Sequence, residues 1–204
     1  MKKNKISKNW INKQRRDIYV RKSKIEGYRS RAIYKLKEIQ EKYTVIKNGI
    51  SIVDLGSAPG SWSEYVTRRF KNTKVVSIDL KDMKPINNTF QIKGDFTLEN
   101  NQQKILEYFN GKIDLVISDM AVNTTGNKSV DSLVTGELSL EAMKFALKTL
   151  KKNGIFVSKV FMGSSFNQIV EIAKKNFKEF HIYKPPSSRK ESKENFIICK
   201  NLRL

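Results

Sequence analysis

A segment rich in glycine and small residues, running from Val53 to Trp62 (VDLGSAPGSW), is the part of this sequence best suited to hold a ligand. Small residues allow a ligand to lie against the backbone. Two carboxylates, Asp79 and Asp95, follow at the points where the next two strands are predicted to end. The carboxylate of Asp79 can accept both hydroxyl hydrogens of an adenosine ribose, and Asp95 is placed to meet an adenine amino group. The combination predicts an adenosine cofactor without a pyrophosphate, and S-adenosylmethionine fits that description better than NAD.

The same residues disfavour several other chemistries. Gly56 and Gly60 stand four apart with Pro59 between them, so the loop is neither the G-x-G-x-x-G of dinucleotide binding nor a Walker A loop, which needs G-K-[ST]. The fourth predicted strand is followed by DMA at 119–121. Enzymes that methylate exocyclic amino groups commonly carry an Asn/Asp-Pro-Pro-aromatic run there, and this chain does not. Carbon-5 cytosine methylation needs a cysteine nucleophile, and Cys199 lies in an apolar run typical of a core.

The elements that must position these residues follow from the hydrophobic pattern, which alternates short β-rich runs with amphipathic segments of helical length. Near-continuous apolar runs are typical of strands buried on both faces, as in a parallel sheet. The predicted strands are Ser51–Leu55, Lys74–Leu80, Thr89–Lys93, Ile113–Ser118, Gly154–Phe161, Glu179–Lys184 and Asn195–Lys200, and the predicted helices are Ser63–Phe70, Asn100–Asn110, Leu133–Leu150 and Ser165–Asn176. This alternation predicts an α/β fold with a doubly wound, mostly parallel seven-stranded Rossmann-like sheet.

Two segments carry more detailed predictions. In the third helix, apolar residues recur at helical spacing and are expected to face the sheet: Leu140, Met143, Ala146, Leu147 and Leu150. The stretch Ala121–Asp131 is polar, contains glycine and follows a strand end directly. Long loops in such a place tend to be functional, so we expect this one to border the site.

Positive charge is concentrated ahead of the first strand. The 204 residues include 40 Lys+Arg and 20 Asp+Glu, a net charge of +20, and residues 1–47 hold 16 basic and 4 acidic residues, 16 − 4 = +12. Aromatic residues are interleaved with this charge: Trp10, Tyr19, Tyr28, Tyr34 and Tyr43. The combination is typical of a surface that follows a phosphate backbone and stacks on bases, although a lysine-rich proteome would also explain the charge. We predict a basic RNA-binding extension and first helix at 1–47, packed on a methyltransferase domain at 48–204.

The cysteine, histidine and apolar content excludes several classes of protein. One cysteine, Cys199, and one histidine, His181, leave no disulfide framework, thiolate metal cluster, His-based triad or multi-histidine metal site, so no metal is expected. No apolar run approaches the roughly 18 residues needed to span a bilayer, and the start does not resemble a secretory signal. We expect a cytoplasmic monomer that does not bind membranes, with a mitochondrion or plastid as the alternative location.

Several motifs occur in an order and at spacings that are unlikely to arise by chance. They are Arg29–Ala32 leading into Tyr34–Leu36, the loop Asp54–Ser63, SDMA at 118–121, Ser158–Phe161, and Lys184–Arg189 followed by Glu194. In these motifs the chain resembles the FtsJ/RrmJ (RlmE) family of ribosomal RNA 2′-O-methyltransferases, from about Trp10 to Lys200. The resemblance implies a class I methyltransferase fold, S-adenosylmethionine as cofactor, and 2′-O-methylation of a uridine ribose in ribosomal RNA of the large ribosomal subunit.

The resemblance also assigns the site residues. The family's Lys-Asp-Lys-Glu catalytic set falls on Lys35, Asp119, Lys159 and Glu194. The family's cofactor positions fall on Gly60, Trp62, Asp79, Asp95 and Asp119, and the small residues of the loop add Gly56, Ser57 and Pro59 to the expected cofactor site. The basic segment, and not the resemblance, predicts Lys22, Lys24, Arg29 and Arg31 as RNA-binding residues. Two positions depart from the family pattern: Val122 stands where a proline is usual, and Ser61 replaces the second glycine of Gly-Gly-Trp. We expect the first to alter the loop over the target nucleotide and the second to change only a turn.

Transfer to a ribose 2′-hydroxyl requires in-line attack on a sulfonium methyl with loss of the hydroxyl proton. Because no histidine lies in the motifs, a lysine is the candidate base. Lys159 lies inside an apolar run at the end of a central strand, where burial would lower its pKa. Asp119 would orient that amine, and Glu194 and Lys35 would position the hydroxyl and the lysine heads. A Lys159 that stays protonated and steers the hydroxyl electrostatically is an alternative that the sequence leaves open.

Other functions stay open beside ribosomal RNA methylation. Within the same chemistry, the substrate could be a transfer RNA anticodon loop or, more distantly, an RNA cap. A non-catalytic RNA-binding protein of ribosome assembly would keep the fold alone, but it would have no need of charged residues at strand ends. An NAD(P) oxidoreductase is disfavoured by the missing glycine fingerprint. Cofactor titration separates these classes of protein.

Overall fold

In residues 16–121, 128–163 and 165–203, which the computed structural model describes, seven strands form one sheet. The strands are Ser51–Leu55 (β1), Lys74–Asp79 (β2), Thr89–Lys93 (β3), Ile113–Ser118 (β4), Leu150–Phe161 (β5), Phe177–Tyr183 (β6) and Glu194–Leu202 (β7). The helices are Ile18–Ile25 (α1), Ile33–Tyr43 (α2), Ser61–Arg69 (α3), Glu99–Phe109 (α4), Lys128–Thr149 (α5) and Phe166–Asn176 (α6). No helix in this described part combines the length and the apolar composition needed to cross a membrane.

The strands lie in the order β3-β2-β1-β4-β5-β7-β6. The pairings from β3 to β5 are all parallel, whereas β7 runs antiparallel to both β5 and β6. The order reverses direction after β1, so the carboxyl ends of β1 and β4 border the crevice in which α/β proteins bind ligands. The predicted doubly wound, mostly parallel seven-stranded sheet is confirmed.

Both faces of the central strands are buried, as their near-continuous apolar runs indicate. In β1, Ile52 belongs to a hydrophobic cluster with residues of α2 and α3, while its neighbour Val53 belongs to a second cluster with residues of α4, α5 and α6. Successive side chains of a strand point to opposite faces, so β1, β2, β4, β5 and β7 each contribute to both clusters. Helix α2 therefore lies in the same core as the central strands.

The structure differs from the predicted elements mainly at their ends. Strand β5 begins at Leu150 instead of Gly154, because Leu150 pairs with Ile113 before the register shifts ahead of Leu115. Leu150 is thus buried in the sheet and not at the end of the helix, while Met143 and Ala146 face the sheet as predicted. Helix α5 starts at residue 128, inside the stretch predicted as a loop. Leu80, predicted to end β2, lies beyond it and is 69% exposed.

Candidate active site

Four charged side chains meet at the carboxyl edge of the sheet: Lys35, Asp119, Lys159 and Glu194. Asp119 directly follows β4, and Lys159 lies two residues before the end of the parallel neighbour β5. Strand β7 is antiparallel to β5, so it begins at the edge where β5 ends, and Glu194 pairs with Phe161. Lys35 comes from the first turn of α2. The topology thus brings together residues that are up to 159 positions apart in the chain.

Pairing and alternation decide which face of the sheet carries the cluster. Lys159 pairs with Phe196 in the β5–β7 ladder, and both Phe196 and Val157 belong to the hydrophobic cluster that contains α2. Residues two apart in a strand share a face, so Lys159 lies on the side covered by α2. Lys35 reaches the cluster from that helix, with its Nζ 5.6 Å from the centroid of the Phe196 ring.

The four side chains form one connected network of ion pairs. Lys159 Nζ donates to Oδ1 of Asp119 at 3.0 Å and to its backbone carbonyl at 2.7 Å. Lys35 Nζ donates to both Asp119 carboxylate oxygens, at 3.2 and 3.3 Å, and to Oε2 of Glu194 at 3.0 Å. Lys35 is thus shared between two carboxylates, while Lys159 has one.

Burial and neighbouring charge act differently on the two lysines. Lys159 is only 5% exposed; burial lowers its pKa, and the charge of Lys35 lowers it further, so that the pKa lies below the ordinary value despite Asp119. Burial also lowers the pKa of Lys35, but the carboxylates of Asp119 and Glu194 outweigh it and raise the pKa above that value. For Asp119, burial raises the pKa, but Lys159 and Lys35 outweigh it and hold the pKa low. Lys159 therefore gives up its proton more readily than Lys35.

A cavity of about 530 Å³ lies beside this cluster, at the carboxyl ends of β1, β2, β3 and β4. Four of the predicted cofactor residues line it: Gly56, Asp79, Asp95 and Asp119. Apolar side chains complete the wall, among them Ile78, Leu80, Phe96, Met120, Val134 and Leu138. An apolar cavity of this size with a few polar groups is typical of a cofactor site.

The loop after β1 is held against β2 through backbone contacts. Gly56 and Ser57 donate their N–H groups to Ile78 O at 2.9 and 3.2 Å, and the N–H of Ala58 donates to Oδ2 of Asp79 at 2.9 Å. A carboxylate oxygen accepts more than one hydrogen bond, so Asp79 retains capacity toward the cavity. Gly56 has a φ of +68°, and a Cβ there would lie 2.0 Å from Met120 Cγ, so only glycine fits this close approach.

The other four predicted cofactor residues do not line the cavity. Trp62 is buried in the core, where its Nε1 donates to Ala32 O at 2.8 Å. Ser57 donates to Ile78 O, Pro59 accepts a hydrogen bond from Arg29, and Gly60 caps α3 with a φ of +99°. These residues shape the loop, and their contact with the cofactor stays a prediction.

A second cavity, of about 410 Å³, borders the charged cluster at Lys35 and Glu194. It is lined by Ser30, Arg31, Ala32, Lys35, Arg189, Glu191, Ser192 and Glu194. Lys35 borders this cavity and Asp119 borders the first, and the two residues form an ion pair with each other. The two cavities therefore adjoin at the cluster, as a transfer reaction between two bound substrates requires.

The four predicted RNA-binding residues lie in two different environments. Lys22 and Lys24, on α1, are exposed, although Lys22 also lies 3.8 Å from Glu26. Arg31 donates to Asp17 at 2.6 Å and to Ser187 O, and Arg29 donates to backbone carbonyls of the main domain. RNA contact by these four residues stays a prediction. Trp10 and the departing position Val122 lie outside the described residues.

Sequence reasoning missed part of each cavity. Leu80, Phe96 and Met120 immediately follow Asp79, Asp95 and Asp119, so the rule that ligands lie at strand ends could have found them. Val134 and Leu138 are contributed by α5, whose approach to the cavity has no signal in the sequence. The wall at 189–192 depends on where the loop before β7 folds back, which the sequence does not indicate.

Comparison with protein families agrees with this geometry. The model of the FtsJ-like methyltransferases matches residues 28–202, which include all four charged residues. The chain belongs to this family. The resemblance found in the sequence motifs is therefore confirmed.

Individual relatives match over most of their length. The chain is 63% identical, over 100% of both chains, to the ribosomal RNA large subunit methyltransferase E of Pelagibacter ubique. It is 43% identical to the protein of the same name from Rickettsia akari, over 96% of this chain and 88% of that one. A crystal structure of a Plasmodium falciparum protein, described as a ribosomal RNA methyltransferase, matches with a TM-score of 0.77 and 35% identity, over 86% of this chain and 98% of that one.

FtsJ-like methyltransferases use S-adenosylmethionine as their methyl donor, which confirms the predicted cofactor. The cavity at the strand ends suits this molecule because it pairs apolar walls with the carboxylates of Asp79 and Asp95. Asp79 would hold the ribose hydroxyls and Asp95 the adenine amino group, as their places at strand ends predict. Asp119 would lie nearest the charged cluster.

Asp54, near the end of β1, is a further buried carboxylate of this FtsJ-like methyltransferase. It is 2% exposed, and its Oδ2 accepts hydrogen bonds from the backbone N–H and the hydroxyl of Ser63, at 3.1 and 2.7 Å. Burial raises the pKa of Asp54 to about 7; the Ser63 hydrogen bonds oppose this rise, and the negative charges of Asp119 and Asp79 add to it. Asp54 thus anchors the start of α3 without lining either cavity.

The raised pKa predicts that Asp54→Asn gains stability relative to the wild type as the pH rises. The carboxyl has a pKa of about 3.9 in the unfolded chain, so the folded state binds its proton more tightly, and wild-type stability falls between about pH 4 and pH 7. Asparagine has no proton to lose. Urea unfolding would measure the free energy of unfolding of both proteins at about pH 5.5 and pH 8. Between these two pH values, the difference between variant and wild type should change by about 2 kcal/mol in favour of the variant.

Asp114→Asn is the matched control for this experiment. Burial raises the pKa of Asp114, but hydrogen bonds from Lys151 and Ser51 outweigh it and hold the pKa below its usual value. Its charge therefore does not change between the two pH values, and the stability difference should stay constant. A constant difference for Asp54→Asn as well would contradict the raised pKa of Asp54.

Proposed function

We propose that this chain transfers the methyl group of S-adenosylmethionine to the 2′-hydroxyl of a uridine ribose in large-subunit ribosomal RNA. The observation that carries the proposal is that two cavities adjoin at the Lys35–Asp119 ion pair, with the buried amine of Lys159 bound to the same carboxylate. The relatives from Pelagibacter ubique and Rickettsia akari, which are named ribosomal RNA large subunit methyltransferases, support the choice of substrate.

Lys159 is the general base in this proposal. S-adenosylmethionine, when bound, supplies an electrophilic methyl group on a positively charged sulfur. Lys159, in its neutral form, accepts the proton of the 2′-hydroxyl, so that the ribose oxygen becomes the nucleophile. Its lowered pKa supports this role, since a base with a pKa nearer to the working pH is unprotonated in a larger fraction of molecules.

The other three residues hold Lys159 and the hydroxyl in place. Asp119 accepts from Lys159 Nζ through both its carboxylate and its backbone carbonyl, which fixes the direction of the amine lone pair. Lys35 remains protonated because Glu194 and Asp119 both stabilise its charge. That charge disfavours the protonated form of Lys159, and the Lys35 ammonium can donate to the ribose oxygen as negative charge develops on it.

The cavity of about 410 Å³ is the proposed site of the target nucleotide. Lys35 and Glu194 line it as members of the charged cluster, and Ser30, Ser192 and Arg189 also line it and can meet the sugar and the phosphates. We also propose the division predicted from the charge, with residues 1–47 as the RNA-binding extension and 48–204 as the methyltransferase domain. The exposed Lys22 and Lys24 support it.

A monomer in the cytoplasm is the form proposed to act. One chain supplies all four residues of the charged cluster and the walls of both cavities, so the site is complete without a partner. The matching relatives of the same name come from bacteria, which supports the cytoplasmic location.

Methyl transfer from labelled S-adenosylmethionine tests the proposed function. The acceptors would be large ribosomal subunits, protein-free large-subunit RNA and transfer RNA, all from a strain deficient in methylation. The RNA would be digested and mapped for 2′-O-methylnucleosides. We expect label at a single uridine of the large-subunit RNA.

Each other result identifies a different function. Label in transfer RNA alone would retain the chemistry but replace the substrate with an anticodon loop. Label on a base would overturn 2′-O-methylation. No label in any RNA, together with measurable cofactor binding, would favour a ribosome-assembly protein with an inactive site.

A further inference from the structure

Arg29, which precedes α2, points its guanidinium at the main domain instead of at solvent. Nη1 donates to Pro59 O at 3.1 Å and to Lys84 O at 2.6 Å, and Nη2 donates to Pro85 O at 2.6 Å. Nε lies 3.8 Å from the carboxylate of Glu64. One side chain from the N-terminal segment thus reaches three carbonyls that are 30 to 56 residues away in the sequence.

The three carbonyls belong to the two loops that border the cofactor cavity. Pro59 follows Ala58, which lines the cavity and donates its N–H to the Asp79 carboxylate. Lys84 and Pro85 lie in the loop after β2, whose first residues Leu80 and Lys81 also line the cavity. Arg29 therefore donates hydrogen bonds to both loops, and Ser57 of the first loop also donates to Met83 Sδ of the second at 3.5 Å.

Side-chain packing joins the same two loops at the same place. A Cβ on Gly60 would lie 2.6 Å from Ile86 Cδ1 and 3.2 Å from Arg29 Nη1, so Gly60, Ile86 and Arg29 are in close contact. Gln91 also anchors the second loop, because its Oε1 accepts from the N–H of Ile86 at 3.2 Å and its Nε2 donates to Lys84 O at 3.4 Å. Gln91 does not contact the first loop, so it cannot hold the two loops together.

The chemistry of the guanidinium explains why an arginine is needed here. It is planar, permanently charged and carries five N–H donors in a fixed fork, whereas a lysine ammonium is a compact group on a flexible stem. Three carbonyl oxygens in different directions require such a fork. A lysine at position 29 would keep the charge, but its single nitrogen would have to replace Nη1 and Nη2, which together reach the three carbonyls.

We propose that Arg29 is a positioning residue for the cofactor, which fixes the β1 and β2 loops in the arrangement that S-adenosylmethionine binds. This role differs from the RNA contact predicted for Arg29 from its place in a basic segment. The inference rests on the proposed function only in taking the cavity of about 530 Å³ as the cofactor site.

The affinity of the folded enzyme for S-adenosylhomocysteine, measured by isothermal titration calorimetry without RNA, tests the proposal. Arg29→Ala is expected to raise the Kd about tenfold or more, because the loops lose three charge-assisted hydrogen bonds that order them. Arg29→Lys should lie between the wild type and Arg29→Ala. In methyl transfer, Arg29→Ala should raise the KM for S-adenosylmethionine, while kcat at saturating cofactor should stay within about threefold of the wild type.

Arg68→Ala is the matched control. Arg68 also ties the N-terminal segment to α3, since Nη2 donates to Gly27 O at 3.2 Å and to Glu64 at 2.9 Å, but it contacts neither cofactor loop. The Kd of Arg68→Ala for S-adenosylhomocysteine should equal that of the wild type. The melting temperatures of the cofactor-free variants would show whether the two substitutions weaken the fold to a similar degree.

Three outcomes would overturn the proposal. The first is a Kd for Arg29→Ala within twofold of the wild type. The second is an increase as large for Arg68→Ala as for Arg29→Ala, which would show a general structural effect. The third is a higher KM for RNA with an unchanged cofactor Kd, which would return Arg29 to the RNA surface. Since the titration needs no acceptor, these outcomes are distinct from failure of the proposed function, which would appear as methyl transfer to no RNA by the wild type.

Discussion

Replacing Lys159 with alanine is expected to reduce methyl transfer about 10²- to 10⁴-fold, the usual contribution of a general base. The substitution removes the only lysine of the cluster whose pKa is lowered, while Asp119 keeps its ion pair with Lys35. The Kd for S-adenosylhomocysteine should stay within a few-fold of the wild type, because Lys159 does not line the cofactor cavity. Single-turnover transfer to saturating RNA, together with calorimetric titration, would measure both quantities.

A second variant decides between the two roles that the sequence leaves open for Lys159. Lys159→Arg keeps a positive charge but cannot lose its proton, since the pKa of arginine exceeds about 12. If Lys159 is the base, Lys159→Arg should be as inactive as Lys159→Ala. If it steers the hydroxyl as a cation, Lys159→Arg should keep much of the activity.

The pH dependence of the rate gives an independent test. A neutral amine is required, so kcat should rise with pH through an apparent pKa below the ordinary lysine value of about 10.4. Lys159→Ala and Lys159→Arg should lack this rise of kcat with pH. Lys151→Ala is the control, because Lys151 lies at the opposite end of β5 and pairs with Asp114 near the surface. A flat wild-type profile, or a Lys159→Ala variant as active as Lys151→Ala, would contradict the assignment of the base.

The fold was largely predictable because its signals are local. Five of the seven strands are buried apolar runs whose type and place follow from composition, and the loop after β1 follows from its glycines. The misplaced ends have a longer-range cause. Leu150 joins β5 because Ile113 is there to pair with it, and Leu80 leaves β2 because β3 pairs only as far as Asp79.

The charged cluster was only partly predictable from the residues themselves. Lys159 could be singled out because a lysine inside an apolar run has few structural explanations. Lys35 and Glu194 were assigned through the family resemblance alone. Their meeting depends on α2 covering one face of the sheet and on β7 entering antiparallel, and both are properties of the whole topology.

Arg29 and Trp62 show the limit of reasoning from residue type. A basic residue in a basic segment suggests contact with RNA, but the guanidinium of Arg29 is directed at carbonyls of loops that are distant in the sequence. A tryptophan beside a cofactor loop suggests a cavity wall, but Trp62 is the second residue of α3 and points to the core next to Phe196. The direction of a side chain depends on the position of its residue around a helix or within a loop. The neighbouring residues in the sequence do not determine that position.

Replacing Asp119 with asparagine is expected to cause the largest loss of stability among the site residues, about 3–5 kcal/mol near pH 7. The Asp119 side chain is 16% exposed, and within the described residues it is the only carboxylate that forms an ion pair with Lys159, while Lys35 keeps Glu194. Removing one partner of a buried ion pair leaves an uncompensated charge, which costs more than the pair contributes. Methyl transfer should also fall at least about 10²-fold, because the amine of Lys159 loses the group that orients it.

The sign of the pH effect follows from the direction of each pKa. Since the pKa of Asp119 is lowered in the folded state, its contribution is present above the unfolded value of about 3.9 and is lost as the pH falls through the folded value. The difference in free energy of unfolding between the wild type and Asp119→Asn should therefore become smaller at acidic pH. It should also shrink toward about pH 10, because Lys159 can then become neutral at little cost. Urea unfolding across this pH range would measure both of these decreases.

A double substitution separates lost charge balance from lost packing. The double variant Asp119→Asn, Lys159→Met has no unpaired lysine at position 159. Much of the lost stability should therefore return, while methyl transfer stays absent. Asp114→Asn is the control, because Asp114 lies near the start of β4, which Asp119 follows, but is partly exposed beside Lys151 and Ser51. Its loss should cost no more than about 1–2 kcal/mol. If Asp119→Asn proves no less stable than Asp114→Asn, or if the double variant is no more stable than Asp119→Asn alone, Lys159 is not held by the Asp119 charge. The base would then have to be oriented by the backbone carbonyl of residue 119 alone.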